Sequence, residues 1–337
     1  WNLKKSLISL GIGPTEIIFT MAFTISLVVG YILSNYPTID IVPMGERLML
    51  AYVCATSIVG VIILFFLLVI KKQLQRLPDK SSKIIFNNIS NIKLWFMTSC
   101  AILLFHIPFI VLSFSVLTPD SWSSIRQSIG IEPLSQHHPV IFTAFVGIFI
   151  KIGSLLNNID IGIVLFTITQ SMILAMIFAT VIVWMRNEKI GKIGIISVFI
   201  FYSILPVNAV AGVIMWKDIL FAGFGLLLLM LVRKIYIDKA NFFNKNNIIL
   251  FIIVAFLFSI WRNNGIYVYT LFVIVAIITN YKVFTNKKYI MLFIAPIILF
   301  MSYSAIVSLV AKPGRLSETL SVPLQQIART VKYHSES

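Results

Sequence analysis

The sequence predicts an all-α polytopic membrane protein. Of its 337 residues, 59% are hydrophobic and only 12% are charged, whereas a soluble domain carries about a quarter charged residues. Several uninterrupted apolar runs reach the roughly 17 residues that can cross ~30 Å of hydrocarbon. Alternating segments of the kind that build a membrane β-barrel are not found, so helices are the expected spanning elements.

About nine apolar stretches are predicted to cross the membrane, each bounded by polar residues. They are 14–34, 47–70, 94–117, 159–185, 193–213, 217–232, 247–261, 265–281 and 289–310. One further apolar stretch, 140–156, is ambiguous because it is short and contains two glycines and Lys151.

The charges of the loops decide how the ambiguous stretch is placed. Lysine and arginine concentrate in the segments 71–93, 186–192, 233–246 and 282–288. The positive-inside rule assigns these segments to the cytoplasm. An even number of crossings must then separate 93 from 186, so 140–156 is expected not to cross. It is predicted to lie in the outer interface as a juxtamembrane helix, with Lys151 at its wet edge.

The chain is basic, with 27 lysines and arginines against 12 aspartates and glutamates. A basic protein can bind nucleic acid, but here the positive charge falls in short loops between spans. Membrane topology accounts for it, and no nucleic-acid partner is expected.

The same topology places the unusual polar residues on one outer face, formed by 35–46, 118–158, the corners at 213–218 and 262–264, and everything after 310. These residues are Asp120, Glu132, His137, His138, Lys217, Asp218, Arg262, Asn263 and Asn264. The rules of membrane insertion do not require this clustering, so it indicates a functional site.

Asp120 follows Pro119 directly after a predicted span. A carboxylate at the membrane boundary is partly desolvated, which raises its pKa and suits it to general-base work. The alternative is that Asp120 is the N-cap of a short helix, and the sequence leaves both interpretations open. Glu132 is a weaker candidate, since it has the surroundings of a solvated loop acid.

His137 and His138 immediately precede Pro139 and the juxtamembrane helix. Adjacent histidines do not have the i, i+4 spacing that places two metal ligands on one helix face. A zinc site is therefore not expected. Hydrogen bonding to an anionic or hydroxyl-rich ligand is the functional interpretation.

Two charged corners follow, Lys217-Asp218 and the segment 262–265. Lys217 and Asp218 could simply pair with each other, yet charges this close to hydrocarbon are costly and indicate function. The planar guanidinium of Arg262 suits phosphate oxygens. The tryptophans near these corners fit an aromatic belt at the membrane interface; they are Trp122, Trp216 and Trp261.

The first outer loop carries an acid just past a span, and a His-Pro element opens an apolar juxtamembrane helix about twenty residues later. This arrangement resembles the GT-C class of integral-membrane glycosyltransferases over about residues 94–331. The resemblance implies a donor sugar on a polyprenyl phosphate or pyrophosphate. It also implies that Asp120 is the catalytic acid of the loop and that His138-Pro139 is the His-Pro element.

The two charged corners and the tail segment 322–329 resemble parts of an uncharacterised GT-C-like family of Gram-positive bacterial membrane proteins. Many GT-C enzymes carry Asp-Glu or Asp-Asp in the first loop, whereas this chain has Asp120-Ser121. No cofactor is therefore assigned, and a divalent metal is left open. The residues that the resemblance assigns to substrate binding are His137, His138, Lys217, Asp218, Arg262, Asn263 and Asn264.

Three regions are expected. Residues 1–93 would form two transmembrane helices and a basic cytoplasmic loop, and residues 94–311 a GT-C-like core with its first outer loop at 118–158. Residues 312–337 would begin an extracytoplasmic segment, followed in a longer protein by chain beyond this sequence. In the segment 322–331, Pro323 is placed for the first turn of an outer amphipathic helix.

The resemblance predicts sugar transfer from a polyprenyl-phosphate donor to a cell-envelope glycan or lipid acceptor, at the outer face of the cytoplasmic membrane and in contact with its lipids. The alternative is a transporter or flippase for a lipid-linked or anionic substrate. A transporter should place its polar groups near the bilayer midplane and show repeated halves.

Overall fold

A computed structural model of the chain describes residues 89–237, 242–279 and 284–314, together with 327, 328 and 331. The helices described below belong to one compact unit, Lys83–Leu324. The predicted spans 14–34 and 47–70 lie outside the described residues, as does most of the outer helix expected at 322–331.

The described residues form ten α-helices and no β-strand, which confirms the all-α prediction. In chain order they are α1 (Asn91–Ser113), α2 (Pro119–Ser128), α3 (Val140–Leu155), α4 (Ile159–Asn187), α5 (Lys192–Ile204), α6 (Pro206–Val213), α7 (Lys217–Ile237), α8 (Lys245–Trp261), α9 (Gly265–Thr279) and α10 (Lys287–Val310).

Three of these helices, α1, α4 and α10, are long and apolar enough to cross a membrane. The pair α5 and α6 makes a fourth candidate if it is one span bent by 46°, at Pro206, whose ring disrupts a continuous helix. The helices α8 and α9 have 17 and 15 residues, which is short of the ~20 that a span needs. The described part therefore does not confirm the number of spans predicted from hydropathy.

Helix α3 occupies nearly the stretch predicted for the juxtamembrane helix. Its 16 residues extend over about 24 Å at 1.5 Å per residue, which is less than the ~30 Å of a hydrocarbon core. Its placement in the outer interface stays a prediction.

Helices α3 and α4 pack closely where two glycines meet. A Cβ placed on Gly162 would lie 2.5 Å from the carbonyl oxygen of Phe149, and a Cβ on Gly153 would lie 2.7 Å from the amide nitrogen of Gly162. Both neighbours are backbone atoms. The contact therefore requires glycine and fixes how α3, which follows the His-Pro element, lies on the bundle.

Contacts between helix termini bring several basic loops to one end of the bundle. Arg186 Nη1 donates a 2.8 Å hydrogen bond to the carbonyl oxygen of Ile89. Arg233 lies over the ring of Trp184 and pairs with Glu188 at 3.4 Å. We call the end that carries Arg186, Glu188 and Arg233 the basic end.

The opposite end gathers the loops that carry the predicted site. A parallel β-bridge joins Val116, just after α1, to Ile214, just after α6. A second parallel bridge joins Ser135 to Lys312, beyond the end of α10. We call the end that carries Val116, Ser135, Ile214 and Lys312 the site end. The clustering predicted from the loop charges is therefore present, while the side of the membrane on which it lies stays a prediction.

Substitution of Gly162 by alanine should destabilise the protein by about 1–3 kcal/mol, the usual cost of overpacking, because the new methyl group meets the backbone of α3. Thermal unfolding of the purified protein in detergent measures the change.

Gly194→Ala is the matched control, since Gly194 also lies in the first turn of a helix and its Cβ would meet only the Cγ2 methyl of Ile190, at 3.0 Å. Alanine is the better helix former, so this variant should be neutral or more stable. Equal unfolding temperatures for the two variants would contradict the packing described.

Candidate functional site

The site begins with the segment that joins α1 to α2. The bridge between Val116 and Ile214 ties this segment to the turn between α6 and α7. Ser121 Oγ then donates a 2.5 Å hydrogen bond to the carbonyl oxygen of Met215. Asp120, one residue before Ser121, is therefore placed beside the start of α7.

Helix α2 is capped by Thr118 and not by Asp120. Thr118 and Ser121 form a reciprocal capping box, and Pro119 occupies the first turn, where its fixed φ is favourable. The N-cap interpretation of Asp120 is therefore wrong. Asp120 lies in the first turn of α2, where the helix dipole favours a carboxylate, and its side chain makes other contacts.

Asp120 pairs with Lys217, the first residue of α7. Lys217 Nζ donates a 2.7 Å hydrogen bond to Asp120 Oδ2 and lies 3.2 Å from His138 Nδ1. His138 Nδ1 is in turn 4.0 Å from the same carboxylate oxygen. The side chain of His138 is 4% exposed, that of Lys217 16% and that of Asp120 43%. Three distant segments thus meet in one cluster.

The pKa of Asp120 is lowered. Partial burial by itself would raise this pKa, but the hydrogen bond and the charge of Lys217, with smaller contributions from His138 and His137, outweigh burial. The raised pKa predicted from the sequence is therefore wrong for this arrangement. The stabilisation from the pair is present above the ordinary carboxyl range and is lost as the pH falls through the lowered pKa.

Asp218 pairs with the other charged corner. Arg262 Nε lies 3.0 Å from Asp218 Oδ1, and the guanidinium lies over the ring of Phe221 with its carbon 5.7 Å from the centroid. Neighbouring residues Lys217 and Asp218 therefore do not neutralise each other, contrary to the simplest interpretation of the corner. Each has its own partner from another segment.

Asn263 connects this corner back to the histidines. Its Nδ2 donates hydrogen bonds of 3.1 and 2.8 Å to the carbonyl oxygens of Gln136 and His137. Asn264 is exposed at the same corner, just before α9. The contacts close a circuit through four segments of the chain. We call this circuit the polar ring; it contains Asp120, His137, His138, Lys217, Asp218, Arg262 and Asn263.

Two other sequence candidates have local roles. Glu132 pairs with Arg126 at 2.7 Å and accepts a hydrogen bond from Ser123, so it is an acid of the loop outside the polar ring. Trp261 is 5% exposed and packs against Phe224, so it is a core residue and not part of an interface belt. Trp122 and Trp216 are exposed.

Gln170 is a supporting residue that sequence reasoning missed. It is fully buried in α4, and its Nε2 lies 3.3, 3.1 and 2.7 Å from the carbonyl oxygens of Ala211, Gly212 and Ile214. These carbonyls surround the break between α6 and α7. The feature of the sequence that could have identified Gln170 is that it is an uncharged polar residue inside an apolar span.

The chain beyond α10 also supports the ring. The amide of Gln136 donates a 2.8 Å hydrogen bond to the carbonyl oxygen of Lys312, and the amide of Lys312 donates one of 2.8 Å to Leu134. The loop that carries the two histidines is therefore fixed by residues about 175 positions later in the chain. The sequence offered no signal for this bridge.

A groove of about 510 Å³ lies between α2 and α3. It follows α3 from Val140, two residues after His138, as far as Ser154. Its lining is mainly apolar, with Lys151 near its far end. The remaining lining residues are Gln127, Ser128, Ile129, Leu134, Thr143, Ala144, Gly147 and Ile148.

The arrangement suits an anionic ligand better than a divalent cation. The ammonium of Lys217 lies 2.7 Å from Asp120, the position that a metal bound by this carboxylate would need. Among the described residues, no group of three or more His, Cys, Asp or Glu side chains has the geometry to hold a metal ion. The residues present therefore do not fit the metal that the GT-C resemblance left open.

A protein-family model matches more than half of the chain. The model described as "Family of unknown function (DUF6020)" matches residues 131–337. The matched region contains every residue of the polar ring except Asp120. No curated protein and no solved structure matches the chain.

Substitution of Gln170 by methionine should destabilise the protein by about 1–3 kcal/mol, the cost of removing the hydrogen-bond donor of buried carbonyl groups. Methionine keeps a similar volume but cannot donate to the three carbonyls. Thermal unfolding provides the measurement, with Ser302→Ala as control, since Ser302 is exposed and bonds only within its own helix. An unfolding temperature no lower than that of the control would show that Gln170 does not stabilise the break.

Proposed function

Because the chain belongs to the DUF6020 family, a family of unknown function, we propose its function from the chemistry of the polar ring. In this proposal the protein is a multi-pass membrane glycosyltransferase that moves a sugar from a polyprenyl-phosphate-linked donor to a cell-envelope glycan or lipid acceptor. The observation that carries the proposal is the cluster of Asp120, Lys217 and His138 at the end of the bundle opposite the basic loops.

The proposed reaction needs a proton acceptor and a site for a leaving phosphate. The acceptor hydroxyl attacks the anomeric carbon of the donor sugar, and the bond from that carbon to the phosphate oxygen breaks. Asp120 takes the proton of the hydroxyl. The polyprenyl phosphate leaves with the bonding electrons, and its growing charge is stabilised by nearby cations.

Lys217 and Arg262 are the cations proposed for the phosphate. Lys217 contributes a compact ammonium with three donors, and Arg262 contributes a planar fork that matches phosphate oxygens. His137 and His138 line the approach from α3, and Asn263 and Asn264 extend the same corner. Asp218 orients Arg262 through their 3.0 Å contact.

The proposed placement follows the separation of charges in the bundle. The basic end is cytoplasmic by the positive-inside rule, and the polar ring then lies at the outer face of the cytoplasmic membrane. In this arrangement α3 runs along the outer interface. The apolar groove beside α3 is the proposed path by which a polyprenyl-linked substrate approaches.

A transporter or flippase is the alternative, and two buried polar residues are its best support. His106 and Gln170 are both fully buried within the bundle. His106 Nε2, however, lies 3.0 Å from the carbonyl oxygen of Tyr202, and Gln170 bonds the carbonyls of the α6–α7 break. These contacts give both residues structural partners, whereas the ionic groups lie at one end. We therefore favour the transferase.

Asp120→Asn tests the proposed base. Thr118 caps α2, so the variant should fold, and its unfolding temperature should fall by no more than the loss of the ion pair with Lys217 requires. Loss of the proton acceptor should slow sugar transfer by about 10²–10⁴-fold. Release of polyprenyl phosphate from lipid-linked sugars, measured in membranes supplied with acceptor, reports the rate.

Glu132→Gln is the control for that measurement, because Glu132 is a carboxylate of the same loop that lies outside the ring. It should retain the wild-type rate. An Asp120→Asn enzyme that turns over as fast as Glu132→Gln would refute the role of Asp120.

Single cysteines test the proposed orientation. In a background without Cys54 and Cys100, cysteines at Ile131 and Asn264 should react with an impermeant thiol reagent in intact cells, because both exposed positions belong to the site end. A cysteine at Asn187, at the basic end, should react only after lysis. Labelling of Asn187 in intact cells would be incompatible with an outward-facing site.

A further inference from the structure

Both cations of the polar ring are held by carboxylates. Lys217 Nζ lies 2.7 Å from Asp120 Oδ2, and Arg262 Nε lies 3.0 Å from Asp218 Oδ1. The four charges cancel, so an anion that enters the ring competes with a carboxylate for a cation. The side chain of Lys217 is 16% exposed and that of Arg262 44%, so Lys217 is the more enclosed cation.

We propose that the phosphate of the donor exchanges with Asp120 at Lys217, and that this exchange releases Asp120 to act as the base. The inference rests on the proposed function and adds an order of events to it. The acceptor is deprotonated only after the donor has bound.

The exposed fractions of Asp120 and Lys217 indicate which side chain moves in the exchange. Asp120 is 43% exposed, so its carboxylate can turn towards solvent with little steric hindrance, whereas Lys217 is enclosed. Lys217 also keeps a second contact, at 3.2 Å to His138 Nδ1, when the carboxylate leaves. His138 is only 4% exposed. The ammonium therefore stays in place, and the phosphate takes the position that the carboxylate vacates.

The exchange changes the basicity of the carboxylate. While Lys217 is paired with Asp120, its hydrogen bond and charge hold the pKa of Asp120 below the ordinary value, against the effect of burial. A phosphate on Lys217 cancels that charge and adds a negative charge nearby, and both effects raise the pKa of Asp120. Asp120 is thus a weak proton acceptor in the empty ring and a stronger one beside bound phosphate.

The exchange predicts that loss of the proposed base strengthens binding of the donor phosphate. Farnesyl phosphate, which has a lipid phosphate but no sugar, is the probe, and calorimetric titration of the purified full chain in detergent measures its affinity. Asp120→Asn should bind it about 1.5- to 5-fold more tightly, the range expected for removal of a partly exposed ion-pair competitor. Lys217→Met should bind it at least about tenfold more weakly.

The double variant Asp120→Asn/Lys217→Met separates exchange from a simple loss of repulsion. If the two anions compete for Lys217, the gain from Asp120→Asn should disappear when Lys217 is absent. If Asp120 only repels phosphate through space, the gain should persist, and that result would overturn the exchange. Thermal unfolding of each variant identifies any that fails to fold. If Lys217→Met fails to fold, the comparison of Asp120→Asn with the control variant Glu132→Gln still tests the exchange.

Glu132→Gln is the matched control, because it removes a carboxylate from another 2.7 Å pair of the same loop and leaves Arg126 without that partner. Its affinity for farnesyl phosphate should equal that of the wild type. A gain as large as that of Asp120→Asn would show a general charge effect and overturn the exchange. Inorganic phosphate is titrated in parallel. If it binds as tightly as farnesyl phosphate, the ring recognises free phosphate and the assignment to a lipid-linked donor is wrong.

The outcomes also distinguish this inference from the proposed function. If farnesyl phosphate binds neither the wild type nor Asp120→Asn, the proposed function and the exchange both fail. If it binds the wild type and Lys217→Met weakens it, but Asp120→Asn brings no gain, the phosphate site stands and the exchange alone is refuted.

Discussion

The break between α6 and α7 is the constraint on which the site depends. Its carbonyl groups lie inside an apolar bundle, where an unpaired polar group costs about 1–3 kcal/mol. Gln170 donates to the carbonyl of Ile214 at 2.7 Å, and Ser121 donates to that of Met215 at 2.5 Å. The donors come from α4 and α2, so the backbone that needs them draws both helices to the same point. The side chain of Lys217, at the start of α7, is placed by the same contacts.

The surroundings of the ring also explain why its charges occur in pairs. Charges near hydrocarbon are costly unless they have partners, and Lys217 and Asp218 are adjacent in the chain. They project from the start of α7 to different neighbours, Asp120 at 2.7 Å and Arg262 at 3.0 Å. The resulting ring is electrically balanced without a ligand. A balanced ring is stable in the absence of substrate, and in the proposed exchange an anion binds by displacing a carboxylate from its cation.

The sequence predicted which residues share one end of the bundle, because that follows from two local quantities, the hydropathy of each stretch and the charge of each loop. It did not predict the environment of Asp120. The N-cap assignment depended on whether Thr118 or Asp120 starts α2, which is a difference of two residues in a helix boundary. The pKa depended on Lys217, which is 97 positions away. No local pattern contains that information.

Two other features were not predicted from the sequence for the same reason. Trp261 was assigned to the interface because it lies at a helix end, yet the helix end itself is covered by Phe142 and Phe145 of α3. The predicted span 193–213 is divided at Pro206 into two helices bent by 46°, and hydropathy does not register the bend because both halves are apolar. Tertiary contacts of α3 and α6 determine these features, so they become visible only when the helices are packed.

The extent of the family match divides the proposed chemistry into two parts. Lys217 and Arg262, the residues proposed to bind phosphate, lie within the matched region 131–337, whereas Asp120 and the rest of α2 precede it. In the proposed mechanism, recognition of the anion and acceptance of the proton are therefore contributed by different parts of the chain. They are joined at one point, the 2.7 Å contact between Lys217 and Asp120. If donor phosphate displaces Asp120 there, the event that binds the donor is the same event that prepares the base, and no separate conformational signal between the two parts is required.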